Sequence, residues 1–268
     1  MTAIPSLIRD ALERAHPSWR PHLRAGLEAI VGVAPAYLAE LATDDYLPTG
    51  QRLFAAFAQP LSATRFVLVG EGPYPRAESA TGVCFMDGAV GELWCANGLS
   101  KPVNRATSLR NFMKMLLVAD GQLGLADTGG AAMAPVAAKA QSNGSIQTLA
   151  ELQANLTAEG FLLLNASLVF RPHVAPAVDA RAWLPFLQVV LEALAAVERP
   201  PVLVLWGKIA EQLRRLPVTE RFAQQCSEHP YNLSFIGHEG MLSLFGPMHL
   251  LKKRSGQNRG SQAKPGGI

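Results

Sequence analysis

The chain has 268 residues, of which 49% are hydrophobic and 17% charged, with a formal net charge of +3. Apolar runs such as Phe161 to Leu164 and Val202 to Trp206 are far shorter than the roughly 20 residues that cross a bilayer, and no basic-then-apolar leader opens the chain, so the expectation is a soluble, cytoplasmic protein. Three cysteines, Cys84, Cys95 and Cys226, make neither an even disulfide set nor a C-x-x-C metal pair and read as reduced thiols.

From Ile4 to about Leu41 apolar residues recur at spacings of three and four around Trp19, Leu23, Leu27 and Ile30, interrupted by Pro17, Pro21 and Pro35, which predicts helices on the outside of a sheet. Gly50 to Ala58 offers one apolar face in Leu53, Phe54 and Phe57. Arg65 to Val69 then reads as a buried central strand that breaks into the turn Gly70-Glu71-Gly72-Pro73-Tyr74-Pro75. Gly82 to Phe85 and Glu92 to Ala96 are candidate short extended pieces, Pro102 to Thr107 a polar loop, and Ser108 a cap for a helix over Leu109 to Ala119. Asp127 to Gln147, rich in Ala, Gly and Ser and without an aromatic residue, reads as a long flexible surface insertion.

Thr148 to Glu159 is helical in pattern and is followed by a second buried strand, Phe161 to Leu164, that ends at Asn165. A helix over Ala182 to Val197 precedes the strand Val202 to Leu205 with Trp206-Gly207 at its end, and a helix starts at Lys208. A last short strand near Ala223 to Cys226 leads into His229-Pro230. Strands alternating with helices in this way predict a single α/β domain over residues 1–250, with a central, mainly parallel four-stranded sheet flanked by helices. Residues 251–268 carry Lys252, Lys253, Arg254, Arg259 and Lys264 and no acid. They read as a basic, flexible tail, suited to a polyanion or simply to solubility.

A parallel sheet gathers the carboxyl ends of its strands on one rim, where ligands bind. The turn from Glu71 to Tyr74, Phe85, Asn165 and His229 should meet there. The glycine spacing of the turn does not complete a dinucleotide fingerprint, because the third glycine of G-x-G-x-x-G would fall at Pro75. What the set offers is an aromatic plate in Phe85, an amide with donor and acceptor on one head in Asn165, and an imidazole in His229 that can donate to a developing anion. That chemistry suits a flat, amide-edged heterocycle such as a pyrimidine. Taken singly, Asn165 equally reads as an amide satisfying a strand end, His229 as a turn histidine, and Phe85 and Leu233 as core residues. His16, His22, His173, His238 and His249 have no spacing that suggests a metal site.

In order along the chain, several stretches resemble the classical single-domain uracil-DNA glycosylase family. Gly70 to Tyr74 is similar to G-Q-D-P-Y, Gly82-Val83-Cys84-Phe85 to G-L-C-F, and Ser108-Leu109-Arg110-Asn111 to P-S-L-x-N. Leu162-Leu163-Leu164-Asn165 is similar to L-L-L-N, Leu205-Trp206-Gly207 to L-W-G, and His229-Pro230 with Leu233-Ser234 to H-P-S-P-L-S. The resemblance implies base flipping and hydrolysis of an N-glycosidic bond in DNA that contains uracil or a related damaged base, by a monomer without metal or organic cofactor. It implies that Phe85 stacks on the base, Asn165 reads its edge, Tyr74 crowds the place of a thymine methyl, and His229 bonds the uracil oxygen. Leu233 would wedge into the duplex, while Ser108 and Ser234 hold phosphates.

The departures sit in the first motif. The family's water-orienting aspartate corresponds to Gly72, and a histidine corresponds to Pro75. The turn is nearer to the G-E-G-P or G-E-A-P of the iron–sulfur glycosylases, whose cluster needs four cysteines. Glu71 is the nearest carboxylate in sequence to replace the base, with Glu78 and Asp87 behind it. The expectation is a glycosylase with weakened water activation; the alternatives are a glycosylase-like DNA-binding protein without useful turnover and an unrelated enzyme acting on a free nucleobase.

Overall fold

A computed structural model describes residues 4–254. Its strands are β1 (Phe66–Gly70), β2 (Trp94–Cys95), β3 (Gly98–Leu99), β4 (Phe161–Asn165), β5 (Val202–Trp206) and β6 (Gln224–Ser227). Its helices are α1 (Ser6–Leu12), α2 (Arg20–Val33), α3 (Tyr37–Ala42), α4 (Lys101–Arg105), α5 (Thr107–Ala119), α6 (Gly130–Ala140), α7 (Leu149–Ala158), α8 (Pro176–Ala195), α9 (Lys208–Leu213) and α10 (Glu239–Phe245). The central sheet has four parallel strands in the order β4-β1-β5-β6, and β2 pairs antiparallel with β3 in a separate small ribbon. The expected α/β architecture is therefore the one observed.

The runs of β1, β4 and β5 are apolar almost throughout because helices cover both faces of the sheet, the usual reason that parallel strands lose the alternation of half-exposed ones. Period-two geometry still divides their side chains. Val67, Val69, Leu162, Leu164, Leu203 and Leu205 join a core built with α1, α2, α3 and α8. Leu68, Leu163, Val204 and Trp206 join a second core with α5, α7 and α10. Asn165 has the parity of Leu163, which assigns it to this second face, at the carboxyl end of β4.

Several local expectations are revised. The stretch from Asp127 to Gln147 is not a flexible insertion: α6 runs through it and buries Met133, Val136, Ala137 and Ala140. Small side chains let this helix lie close to the β2–β3 ribbon, so a composition poor in aromatics concealed a packed element. The polar loop before α5 holds the short helix α4, capped by the Ser100 side chain, which accepts from the Val103 amide. Ser108 lies inside the first turn of α5, whose N-cap is Ala106. Helix α8 begins at Pro176, ahead of the expected Ala182, because proline at a first helical position lacks a donor the helix cannot use there anyway. Gly82 to Phe85 forms turns and no strand. At α7, Thr148 and Glu151 form a reciprocal capping box, which fixes the expected start.

The basic segment also begins later than residue 251. Leu251 is buried, and buried Asn155 donates its amide to the carbonyls of Leu250 at 2.7 Å and Lys252 at 2.9 Å. The Lys253 amide donates to the Gly144 carbonyl, and Arg254 pairs with Glu159. Residues 251–254 thus belong to the folded body, and residues 255–268 lie outside the described residues.

Helices α2 and α8 pack closely where Gly26 faces Phe186: a Cβ on residue 26 would stand 2.6 Å from the Phe186 ring. We predict that Gly26→Ala forces these helices apart and destabilises the protein by about 1 to 3 kcal/mol through overpacking. Thermal or denaturant unfolding measures it, and an unchanged midpoint would show that the ring yields freely.

Candidate active site

The sheet register builds the site. Gly70 is paired with Asn165, and Trp206 with Ser227, so the chain leaves all four strands on one rim. The β1 turn is tied to the segment after β4 by two backbone bonds, from Ala166 N–H to the Gly70 carbonyl at 2.8 Å and from Ser167 N–H to the Glu71 carbonyl at 3.1 Å. Asn165 is 4% exposed, and its amide head lies across residue 70, where a Cβ would stand 2.9 Å from its Oδ1. Only glycine at position 70 leaves room for that head. No hydrogen bond to another described residue engages the Asn165 side chain, whose donor and acceptor are open to the cavity in front of it.

That cavity has a volume of about 230 Å³ and is lined by Glu71, Gly72, Tyr74, Phe85, Ser108, Asn165 and His229, together with Leu68, Cys84, Trp206 and Ile209. Every residue expected at the site is thus brought to one space except Leu233 and Ser234. Those two are exposed and belong to the 3-10 turn Leu233–Gly237 that follows the His229 segment. The Ser234 hydroxyl bonds Glu228; burial works to raise the Glu228 carboxyl, but this bond and nearby His238 hold its pKa below the usual carboxylate range.

Phe85 is delivered by a left-handed backbone, with φ of 66°. A non-glycine residue held in this region carries strain of order 1 to 3 kcal/mol, and such strain clusters at functional sites. The segment is fixed just ahead of its strained residue. A Cβ at Gly82 would stand 2.1 Å from the Arg52 carbonyl oxygen, and the Cys84 amide donates to the Leu163 carbonyl. The Phe85 ring meets Phe112 and Trp206 edge to face, with centroids 5.3 and 5.1 Å away, and stays half-buried. Tyr74 is half-buried beside it, its hydroxyl 3.5 Å from the Phe85 carbonyl. Burial first, and then the charge of Asp87, pushes the phenol's pKa well above its ordinary value, so the ring is a neutral wall at physiological pH.

His229 is admitted by Gly207, a left-handed glycine whose Cβ would stand 2.9 Å from the His229 Cβ. The Nδ1 of His229 accepts from the Tyr231 amide at 3.1 Å. In the neutral ring the proton therefore resides on Nε2, which leaves Nε2–H as the free donor. Partial burial lowers the His229 pKa, opposed by the charge of Glu71. Glu71 is the one acid lining the cavity among the described residues. Asp87 instead accepts from the Ala89 amide and pairs with Arg76, and Glu78 faces the same Arg76. No cluster of three His, Cys, Asp or Glu side chains suited to a metal ion occurs among the described residues.

No family model matches the chain. It is 30% identical over 239 residues to the uracil-DNA glycosylase of a Nocardioides species, covering 87% of this chain and 86% of the relative. The chain belongs to the uracil-DNA glycosylases. The Corynebacterium glutamicum uracil-DNA glycosylase is 30% identical over 82% of this chain and 81% of its own. The crystal structure of wild-type UNG from Nitratifractor salsuginis superposes with a TM-score of 0.83 at 39% identity, over 92% of this chain and 96% of that one. No helix among the described residues is long and apolar enough to cross a membrane.

Within this uracil-DNA glycosylase, sequence reasoning passed over three supports. Trp206 shares the face of Asn165, a parity legible from the strand itself. Gly207 entered as a strand end and as the last residue of the L-W-G resemblance, with no role assigned to it. Asn111 is fully buried in α5 and donates its amide to the Pro230 carbonyl at 2.7 Å, with longer contacts to the carbonyls of Tyr231 and Asn232. Nothing in one sequence signals a contact across 119 residues.

The His229 geometry predicts its titration. Because the folded pKa is lowered from 6.5, the unfolded chain binds more protons just below pH 6.5, so stability rises with pH through that interval and levels off above it. NMR titration should give His229 a pKa below 6.5 and the Nε2–H tautomer, and Glu71→Gln should lower it further. A pKa above 6.5 contradicts the assignment.

Proposed function

We propose that this uracil-DNA glycosylase extrudes a uracil nucleotide from DNA into the 230 Å³ cavity and hydrolyses its N-glycosidic bond, acting as a monomer. The observation that carries the reading is the free, buried amide head of Asn165 facing that cavity beside the Phe85 ring. An amide offers a donor and an acceptor in one plane, as the edge of uracil requires, and Phe85 supplies the flat face on which the base stacks. Tyr74 walls the side where thymine carries its methyl group.

In the reaction the bond between C1′ and N1 breaks, its electron pair passes into the uracil ring, and negative charge collects on the ring oxygens. His229 donates from Nε2–H to the oxygen that gains charge. A neutral donor serves this purpose without first giving up its proton, and a lowered pKa keeps it neutral. Water adds to the cationic sugar and loses its proton to Glu71 or to solvent. Ser108, Leu233 and Ser234 act on the DNA rather than on the base.

The weak point is Gly72, where the family motif has a carboxylate. A positioned general base contributes about 10² to 10⁴ in rate, whereas stabilisation of the leaving anion usually contributes more. Slow turnover follows, with a DNA-binding protein of negligible turnover as the limiting case. Gly72 does not use the left-handed region, and a Cβ there would meet nothing nearer than the Ser167 carbonyl oxygen at 3.7 Å. An aspartate therefore fits without backbone strain.

Incubation with uracil-containing oligonucleotides, followed by alkali cleavage at abasic sites, tests the reading. Wild type should release uracil, and Asn165→Asp should lose about 1 to 3 kcal/mol of transition-state binding, because an acceptor then faces an acceptor. Wild type that releases no uracil at high concentration, or an Asn165→Asp variant as active as wild type, would overturn it. In the same assay Gly72→Asp should recover part of the 10²- to 10⁴-fold due to a base, with stability within about 0.5 kcal/mol of wild type. Gly72→Ala should leave the rate unchanged. An equal gain for both variants would show that packing of the turn, and not water activation, limits the rate.

A further inference from the structure

Two of the large apolar side chains exposed among the described residues stand two positions apart beside the cavity: Tyr231, 68% exposed, and Leu233, 67% exposed. An isolated exposed aromatic would need no explanation, but this pair is held out on a rigid base. Asn111 grips the carbonyl groups of Pro230, Tyr231 and Asn232 from below, and the Tyr231 amide is bound to His229. Pro230 is buried beneath them. The backbone between the two side chains is extended at Asn232, with φ of −79° and ψ of 139°. Tyr231 closes a turn whose Asn232 amide donates to the His229 carbonyl at 2.9 Å, and Leu233 opens the next 3-10 turn, so both exposed side chains stand on an anchored backbone.

We propose, resting on the reading of the cavity as a base pocket, that Tyr231 is a DNA-stacking residue in its own right. Its ring receives the face of a nucleotide adjacent to the one extruded, while Leu233 enters the gap the extruded base leaves. Any base can stack on a phenol ring, so the contact is independent of sequence. It also needs no opposite strand, so it operates on single-stranded DNA, where a wedge has no partner base to push against. The hydroxyl has no part in the stacking, so phenylalanine should serve equally well. Tyr231 touches neither the base in the pocket nor the reacting atoms and acts by positioning the strand.

The test uses Tyr231→Ala, Tyr231→Phe and Leu233→Ala on single-stranded and duplex oligonucleotides that carry uracil next to 2-aminopurine. Tyr231→Ala should lower kcat/KM on single strands roughly tenfold, mostly through KM, while Tyr231→Phe stays within twofold of wild type. Binding by wild type and Tyr231→Phe should quench 2-aminopurine, as aromatic stacking does, and Tyr231→Ala should not. The proposal is overturned if Tyr231→Ala keeps both the quench and the single-strand kcat/KM, or if Tyr231→Phe is as impaired as Tyr231→Ala. The quench depends on binding alone. Should wild type release no uracil, the proposed activity fails, and the quench still decides the role of Tyr231.

Discussion

The site depends on one close approach. Gly70 and Asn165 are paired across the β1–β4 ladder, and the missing side chain of the first is the space taken by the amide head of the second. Burying a primary amide without partners is costly, of order 1 to 3 kcal/mol by mutational measures. The Asn165 head escapes that cost because it opens onto the cavity and is not among the sealed, partnerless polar atoms, so a ligand with a complementary edge can engage it directly. The same device recurs at the other end of the sheet, where Gly207 makes room for His229. Two glycines at strand ends thus set the positions of the two side chains that bracket the cavity.

Around this frame, the mobile-looking parts of the sequence are held by specific contacts. The Phe85 segment is strained at one residue and pinned just ahead of it by Gly82 and Cys84. The segment after β4 is anchored by Arg171, which donates to Asp179 at 2.7 Å and to Asp44 at 3.0 Å; Asp179 also accepts from the Tyr37 hydroxyl. Breaking such a buried pair is expensive, because the remaining charge has no water to replace its partner. Preorganisation of this kind is what electrostatic stabilisation of a departing anion needs, since donors already in place cost no reorganisation at the moment of reaction.

Much of this was legible in the chain itself. The runs Phe66 to Val69, Phe161 to Leu164 and Val202 to Leu205 could be recognised as buried parallel strands because length, apolarity and flanking turns agreed, and their ends then located Asn165 and the β1 turn. What escaped had a physical reason in each instance. Helix α6 buries small residues, so its amphipathic signal was faint. The start of α8 was missed because Pro176, which opens the helix, reads as a breaker unless it is placed at the first helical position. The role of Asn111 rests on tertiary contacts that no local pattern encodes. A glycine in a tight turn suggests a backbone that an aspartate would strain, yet the backbone at Gly72 is ordinary. Of the departures from the family motif, Gly72 lies on the cavity wall with an ordinary backbone and leaves Asn165 and Phe85 in place.

The central claim is that the amide of Asn165 reads the edge of uracil, and the side-chain amide itself can report it. In NMR spectra of the 15N-labelled protein, saturation with free uracil should move the Asn165 Nδ2 resonance downfield as it gains an acceptor, and thymine at the same concentration should move it far less. Uracil binding that shifts other cavity residues but leaves the Asn165 amide in place, or an equal response to thymine, would contradict the account.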